Sequence, residues 1–105
     1  MSQPNTFHPV AEAASLPPGQ GRTVNVQGRE FALYNLDGTF HAVDDACPHH
    51  GASLGAGTLE DGCVYCPLHG WAFDVKTGAC VNNPERPVRT YPTRVVDGQV
   101  QVCLD

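Results

Sequence analysis

The sequence predicts an all-β domain, and three observations carry that prediction. Turn dipeptides recur at Gln27-Gly28, Asp37-Gly38, Asp61-Gly62, Thr77-Gly78 and Asp97-Gly98, several of them between short runs rich in Val, Phe, Tyr and Thr, as antiparallel hairpins require. No helical period and no helix-length apolar stripe is present, except weakly over Val10 to Leu16, where Pro17-Pro18 stops any helix after about two turns. A chain of 105 residues makes one domain with a modest core, with no room for a second catalytic domain.

Taken in order, the N-terminal stretch with His8 reads as a tail. Phe31 to Asn35 and Thr39 to Val43 form a hairpin around Leu36-Asp37-Gly38, with His41 on its second strand. Arg94 to Val96 and Gln99 to Leu104 form another around Asp97-Gly98. Residues 1–43 and 86–105 are therefore expected to make a strand base, and residues 44–85 an insertion between its halves. No internal repeat or low-complexity tract is evident.

The insertion carries the chemistry. Cys47-Pro48-His49 and Cys66-Pro67-Leu68-His69 each hold one thiol and one imidazole, with sixteen residues between His49 and Cys66. Both pairs are bounded by Pro and Gly, so they sit on tight loops, and two facing loops can clamp one centre. Two soft thiolates and two neutral nitrogens restrict that centre to a few candidates. A structural zinc site takes the same ligand types, but its knuckles usually read C-x2-C or H-x3-5-H, whereas each knuckle here mixes Cys with His. Buried thiols and core histidines with no metal are improbable in two such loops.

The run C-x-H, sixteen residues, C-x2-H, set within CPHHGASLGAG and CPLHGWAFDVKTG, resembles the Rieske iron-sulfur signature. The resemblance extends over most of the chain and implies a Rieske-like antiparallel β-sandwich base with an inserted cluster-binding subdomain. It implies a Rieske-type 2Fe-2S cluster, with Cys47 and Cys66 on the inner iron and His49 and His69 on the outer iron. Two ferric ions, two sulfides and two thiolates sum to zero charge, so such a centre accepts an electron more readily than an all-Cys cluster. Rieske centres accordingly span about −150 to +300 mV, against roughly −400 mV for plant-type ferredoxins.

The neighbouring residues place this chain at the low end of that range. High-potential members of the family carry a further Cys in each loop, joined in a disulfide, and a Ser and a Tyr whose hydroxyls bond the cluster and a ligand sulfur. Here those positions are Ala52 and Leu68, and Trp71 and Phe73. None supplies a disulfide or an O–H donor, and fewer donors stabilise the reduced state less.

Composition excludes several function classes. A net charge of −5 with six Lys plus Arg leaves no basic footprint for nucleic acid; a mildly acidic carrier is instead steered toward basic patches on redox partners. No segment approaches the roughly 20 apolar residues that span a bilayer, and MSQPNTFHPV lacks the regions of a signal peptide, so no membrane partner and a cytoplasmic location are expected. Of the five cysteines, Cys63, Cys80 and Cys103 remain after ligand assignment and read as unoxidised thiols in a reducing compartment. Cys63-Val64-Tyr65-Cys66 is formally C-x2-C, but its β-branched and aromatic filling suits a strand, and Cys63 is expected to be a buried structural residue.

His50 competes with His49 as a ligand, and the C-x-H spacing favours His49. Asn82-Asn83-Pro84-Glu85-Arg86-Pro87 occupies the place of a proline-bearing loop that covers the cluster in the family, and equally makes a connection back to the base. His49 and His69, flanked by His50, Trp71 and Pro84, are expected to form the tip at which electrons enter and leave. The resemblance implies a low-potential ferredoxin that passes single electrons from a flavin-dependent reductase to a terminal oxygenase, an electron-transfer component rather than a stand-alone enzyme. CPHHGA, CPLHGWAFD and TYPTRVVDGQV also resemble the small Rieske subunit of NAD(P)H-dependent nitrite reductase, whose partner is the large reductase subunit. A zinc-binding interaction module is the third reading.

Overall fold

A computed structural model of the chain describes residues 7–47, 52–67 and 70–103. Ten strands run through it in chain order: β1 Phe7–Glu12, β2 Gly21–Val26, β3 Arg29–Leu36, β4 Thr39–Asp44, β5 Thr58–Glu60, β6 Cys63–Tyr65, β7 Ala72–Asp74, β8 Thr90–Tyr91, β9 Thr93–Val96 and β10 Gln99–Cys103. Single 3₁₀ turns at Ala13–Ser15 and Leu54–Ala56 complete the regular structure. The strands form three antiparallel sheets, ordered β2-β3-β4-β8, β1-β10-β9 and β5-β6-β7.

Four of the turn dipeptides do what their chemistry allows. The pairs Val26 with Arg29, Leu36 with Thr39, Glu60 with Cys63 and Val96 with Gln99 each bracket a two-residue loop. Gln27-Gly28, Asp37-Gly38, Asp61-Gly62 and Asp97-Gly98 all have positive φ at both positions, the signature of the type I′ turn that matches strand twist. The first hairpin is therefore tighter than its sequence suggests, with Leu36 paired inside β3.

The β2-β3-β4-β8 sheet is the middle layer, because β3 is buried on both faces. Phe31 and Leu33 point into one core with Val24, Phe40, Tyr91, Val100 and Val102, where the β1-β10-β9 sheet packs. Ala32 and Tyr34, one residue out of step, point into a second core with Val43, Leu54, Val64, Phe73 and Val75, where the β5-β6-β7 sheet packs. The period of two along a strand thus divides one apolar run between two cores. The second core holds the candidate site.

Two expectations are corrected at this level, and the all-β reading holds through the one stretch with a weak helical period. Val10 to Leu16 forms no helix: β1 runs to Glu12, pairs with β10 through an irregularity between Pro9 and Ala11, and gives way to one 3₁₀ turn, because backbone pairing with β10 outweighs a weak helical period. His8 lies opposite Val102 in β1 rather than in a tail. Cys63 is half-buried, since in β6 it faces away from the core that its neighbour Val64 enters.

Candidate metal centre

The first loop leaves the end of β4 and returns at the 3₁₀ turn Leu54–Ala56. Its roots are joined by an antiparallel bridge between Ala46 and Ser53 and by the Cys47 N–H donating to the Ala52 carbonyl at 2.8 Å. Cys47 is only 2% exposed at the outgoing root. Pro48, His49, His50 and Gly51 lie outside the described residues, so the expected ligand His49 is not located.

A side chain that the motif did not point to holds these roots. Asp45, 6% exposed, accepts at Oδ1 from the Gly55 N–H at 2.8 Å, and Thr23 Oγ1 and Ser53 Oγ lie 2.9 and 3.0 Å from the same oxygen. Its own carbonyl accepts from the Leu54 N–H at 2.7 Å. Tyr34, from β3, donates its hydroxyl to the Leu54 carbonyl at 2.6 Å. Burial, with the Asp45 charge adding to it, pushes the Tyr34 hydroxyl well above the usual phenol value, so it remains a donor. Gly55 lies so close to β2 that an added Cβ would fall 2.6 Å from the Thr23 nitrogen.

The second loop is built locally. Cys66, 3% exposed, follows β6; its carbonyl accepts from the Gly70 N–H at 2.9 Å and its N–H donates to the Trp71 carbonyl at 2.7 Å. Gly70 has φ +73°, the left-handed conformation that such a tight turn needs and glycine supplies. Leu68 and His69 lie outside the described residues. After the loop, Ala72 donates its N–H to Asn82 Oδ1 at 2.8 Å, and Val81 donates to the Ala72 carbonyl at 2.8 Å. The Asn82 to Pro87 stretch is thereby tied to the second loop's exit.

Cys47 and Cys66 belong to the same buried cluster, with Ala52 and Trp71 packed against its edge. Cys80 lies in that cluster too, and Cys103 is buried in β10. Cys63 stands apart: partial burial, and then Asp74 and Asp61, push its thiol up and keep it protonated near neutral pH. No disulfide forms among the described residues. Two dry sulfurs on adjacent loops, each leading within three residues to a histidine in sequence, are the donor set that a mixed thiolate-imidazole centre needs.

A family model for the Rieske [2Fe-2S] domain matches residues 6–92. The chain belongs to the Rieske [2Fe-2S] family. A Rieske-type 2Fe-2S cluster is accordingly its cofactor, and the donor set fits that group. This Rieske protein is 41% identical over 97 residues, 90% of its length and 91% of the relative's, to a 3-phenylpropionate/cinnamic acid dioxygenase ferredoxin subunit from Photorhabdus laumondii. It superposes with TM-score 0.85 and 36% identity, over 92% of both chains, on a chain from the complex of reduced oxygenase and oxidized ferredoxin in carbazole 1,9a-dioxygenase. It matches with TM-score 0.89 and 31% identity, over 96% of both chains, a Mycobacterium tuberculosis protein assigned as an NADH-dependent nitrite reductase small subunit. Among the described residues, no helix is long and apolar enough to cross a membrane.

The two Cys-His segments were readable from sequence, whereas the roles of Asp45, Thr23, Tyr34 and Ser53 were not. Their partners lie 8 to 22 residues apart along the chain, and no spacing rule pairs an acid at a strand end with hydroxyls so distant. Asn82 stood in a stretch read as a covering loop, and only the fold shows that its amide caps Ala72.

Proposed function

We propose that Cys47 and Cys66 ligate the inner iron, and His49 and His69 the outer iron, of a 2Fe-2S cluster in a ferredoxin that carries single electrons from a flavin-dependent reductase to a terminal oxygenase. The cluster subdomain comprises residues 44–85, and the base residues 1–43 and 86–105. The observation that carries this reading is the burial of both thiols in one core, at the roots of two loops whose sequences continue to the two histidines. The likeness to a chain from an oxygenase-ferredoxin complex supports the oxygenase as electron acceptor.

When bound, the group takes up and releases one electron within the Rieske range. The chain's own residues do the rest. Burial of Cys47 and Cys66 keeps water from the sulfurs, and Trp71 and Phe73 stand at the sequence positions where, by the family resemblance, hydroxyl donors raise the potential. If His49 and His69 each bind iron through one ring nitrogen, the other ring nitrogen would carry a proton and could face a partner protein. A cytoplasmic location agrees with the unoxidised cysteines and a reductase partner.

The test is anaerobic reconstitution followed by electron paramagnetic resonance of the reduced protein and turnover with a flavin reductase and a ring-hydroxylating oxygenase. A signal with average g near 1.9 and reductase-dependent turnover are expected; a colourless zinc protein would remove the reading. A second reading, the small Rieske subunit of an NAD(P)H-dependent nitrite reductase, is favoured by the near-complete match to the Mycobacterium tuberculosis chain. Stable co-purification with a large reductase chain would select it.

A further inference from the structure

We infer that Asp45 is a positioning residue that holds the two roots of the first Cys-His loop together in the polypeptide itself, before any metal is taken up. The inference rests on Cys47 being a ligand but concerns the part of the loop that the polypeptide shapes alone.

One carboxylate oxygen joins three segments. Thr23 comes from β2, Asp45 follows β4, and Ser53 and Gly55 lie on the loop's return leg. Thr23 Oγ1 and Ser53 Oγ are themselves 3.0 Å apart. Two hydroxyl hydrogens thus serve three oxygen-oxygen contacts, and two of the three are hydrogen bonds at any moment. The Gly55 N–H has a fixed direction and anchors the arrangement.

The return leg is pinned at further points. The Leu54 N–H bonds to the Asp45 carbonyl, the Tyr34 hydroxyl bonds to the Leu54 carbonyl, and Gly55 abuts β2 where a Cβ would not fit. Because Asp45 is also the residue from which the outgoing leg departs, two bonds from one residue, side chain and main chain, hold the two legs together. Cys47 is two residues further on, so its Cα lies within about 7.6 Å of the Asp45 Cα whatever the course between them. Removing the carboxylate would leave the buried Gly55 N–H without its acceptor, and the two part-buried hydroxyls with only each other, a loss that buried polar groups do not tolerate.

The experiment compares Asp45→Ala with Asp45→Asn, which keeps an acceptor oxygen at the same place. In the metal-free protein, amide hydrogen exchange at Gly55 is expected to rise about tenfold or more in the Ala variant, as loss of the acceptor of a buried N–H implies. Exchange on β3 stays near wild type. In the same variant, iron bound per chain after anaerobic reconstitution falls by more than half, and the signal of the reduced protein broadens. The Asn variant restores Gly55 protection and iron content to within about twofold, because the acceptor geometry is what matters.

Wild-type Gly55 protection with full iron content in Asp45→Ala overturns the inference, and so does an Asn variant as defective as the Ala variant. If Asp45→Ala does not fold, Thr23→Val and Ser53→Ala decide: each removes one hydroxyl, and faster Gly55 exchange with reduced iron uptake supports the inference, whereas no change in either overturns it. Cys47→Ser is run in parallel. If it retains a normal cluster, the ligand assignment fails while the metal-free exchange result stands by itself.

Discussion

The two ligand loops keep one thiol each in the same core, yet different interactions hold them. The first, besides its own backbone closure from Cys47 to Ala52, is fixed by side chains and contacts from other strands: a buried carboxylate, a tyrosine hydroxyl and a glycine pressed against β2. The second is fixed mostly by its own backbone, with Cys66 bonded to Gly70 and Trp71, and one amide, Asn82, at its exit. A loop that needs side chains from other strands as well as its own peptide groups takes its full form only when those strands are in place, whereas a turn closed mostly by its own peptide groups carries more of its shape locally. The two loops should therefore fail in different ways.

The largest effect bears on what they share. Replacing either Cys47 or Cys66 with Ser should abolish the visible and paramagnetic signature of the cluster while the strands persist by circular dichroism; retention of a native spectrum in either variant would break the symmetry between the loops. Next come the glycines. Gly55→Ala pushes a methyl group against the Thr23 backbone at ordinary φ, and such overpacking costs about 1 to 3 kcal/mol. Gly70→Ala meets no described atom within 4 Å and bears only the left-handed strain, about 1 kcal/mol. At roughly 4 to 8 °C per kcal/mol for a domain of this size, thermal unfolding should rank the two variants in that order.

A smaller contrast separates the polar anchors. Tyr34→Phe removes a buried hydroxyl donor from the Leu54 carbonyl, which keeps the Gly57 N–H at 3.0 Å, and should cost about 1 to 1.5 kcal/mol; Asn82→Ala, at a part-buried and more accessible bond, should cost about 1 kcal/mol or less. Urea unfolding midpoints at unchanged slope would measure both, and equal costs would show that the two loops are anchored alike.

The smallest effect concerns pH. His41 on β4 has its pKa lowered, first by burial and then by the Lys76 charge, with Asp74 acting in the opposite direction. The unfolded chain therefore binds this proton more readily than the native one. The contribution is fully present above the ordinary histidine value of about 6.5 and is lost as pH falls through the lowered native value. A melting series between pH 5 and 7.5 should show a shallow decline toward acid that His41→Gln reduces.

The fold was legible where local chemistry acts alone. Type I′ turns need only a residue that tolerates positive φ followed by Gly, so Asp37-Gly38 and Asp97-Gly98 could be read directly as hairpins. The apolar run Phe31-Ala32-Leu33-Tyr34 signalled a strand, but not that its two faces serve different cores. The weak helical period of Val10 to Leu16 gave no helix, and β10, whose pairing makes β1 a strand, lies some ninety residues later. Cys63 misled because composition gives a cysteine's tendency to be buried, while register decides which face it takes.

By itself, the sequence determined the all-β character, the two Cys-His loops and the Rieske resemblance, since each rests on residues within a few positions of one another. Tertiary structure alone decided that the middle sheet is buried on both faces, that Cys47 and Cys66 share one core, and that Asp45 gathers Thr23, Ser53 and Gly55 onto one oxygen. The physical reason is that burial and buried hydrogen bonding depend on which strands become neighbours, and that pairing is settled by packing the whole chain rather than by any short stretch of it.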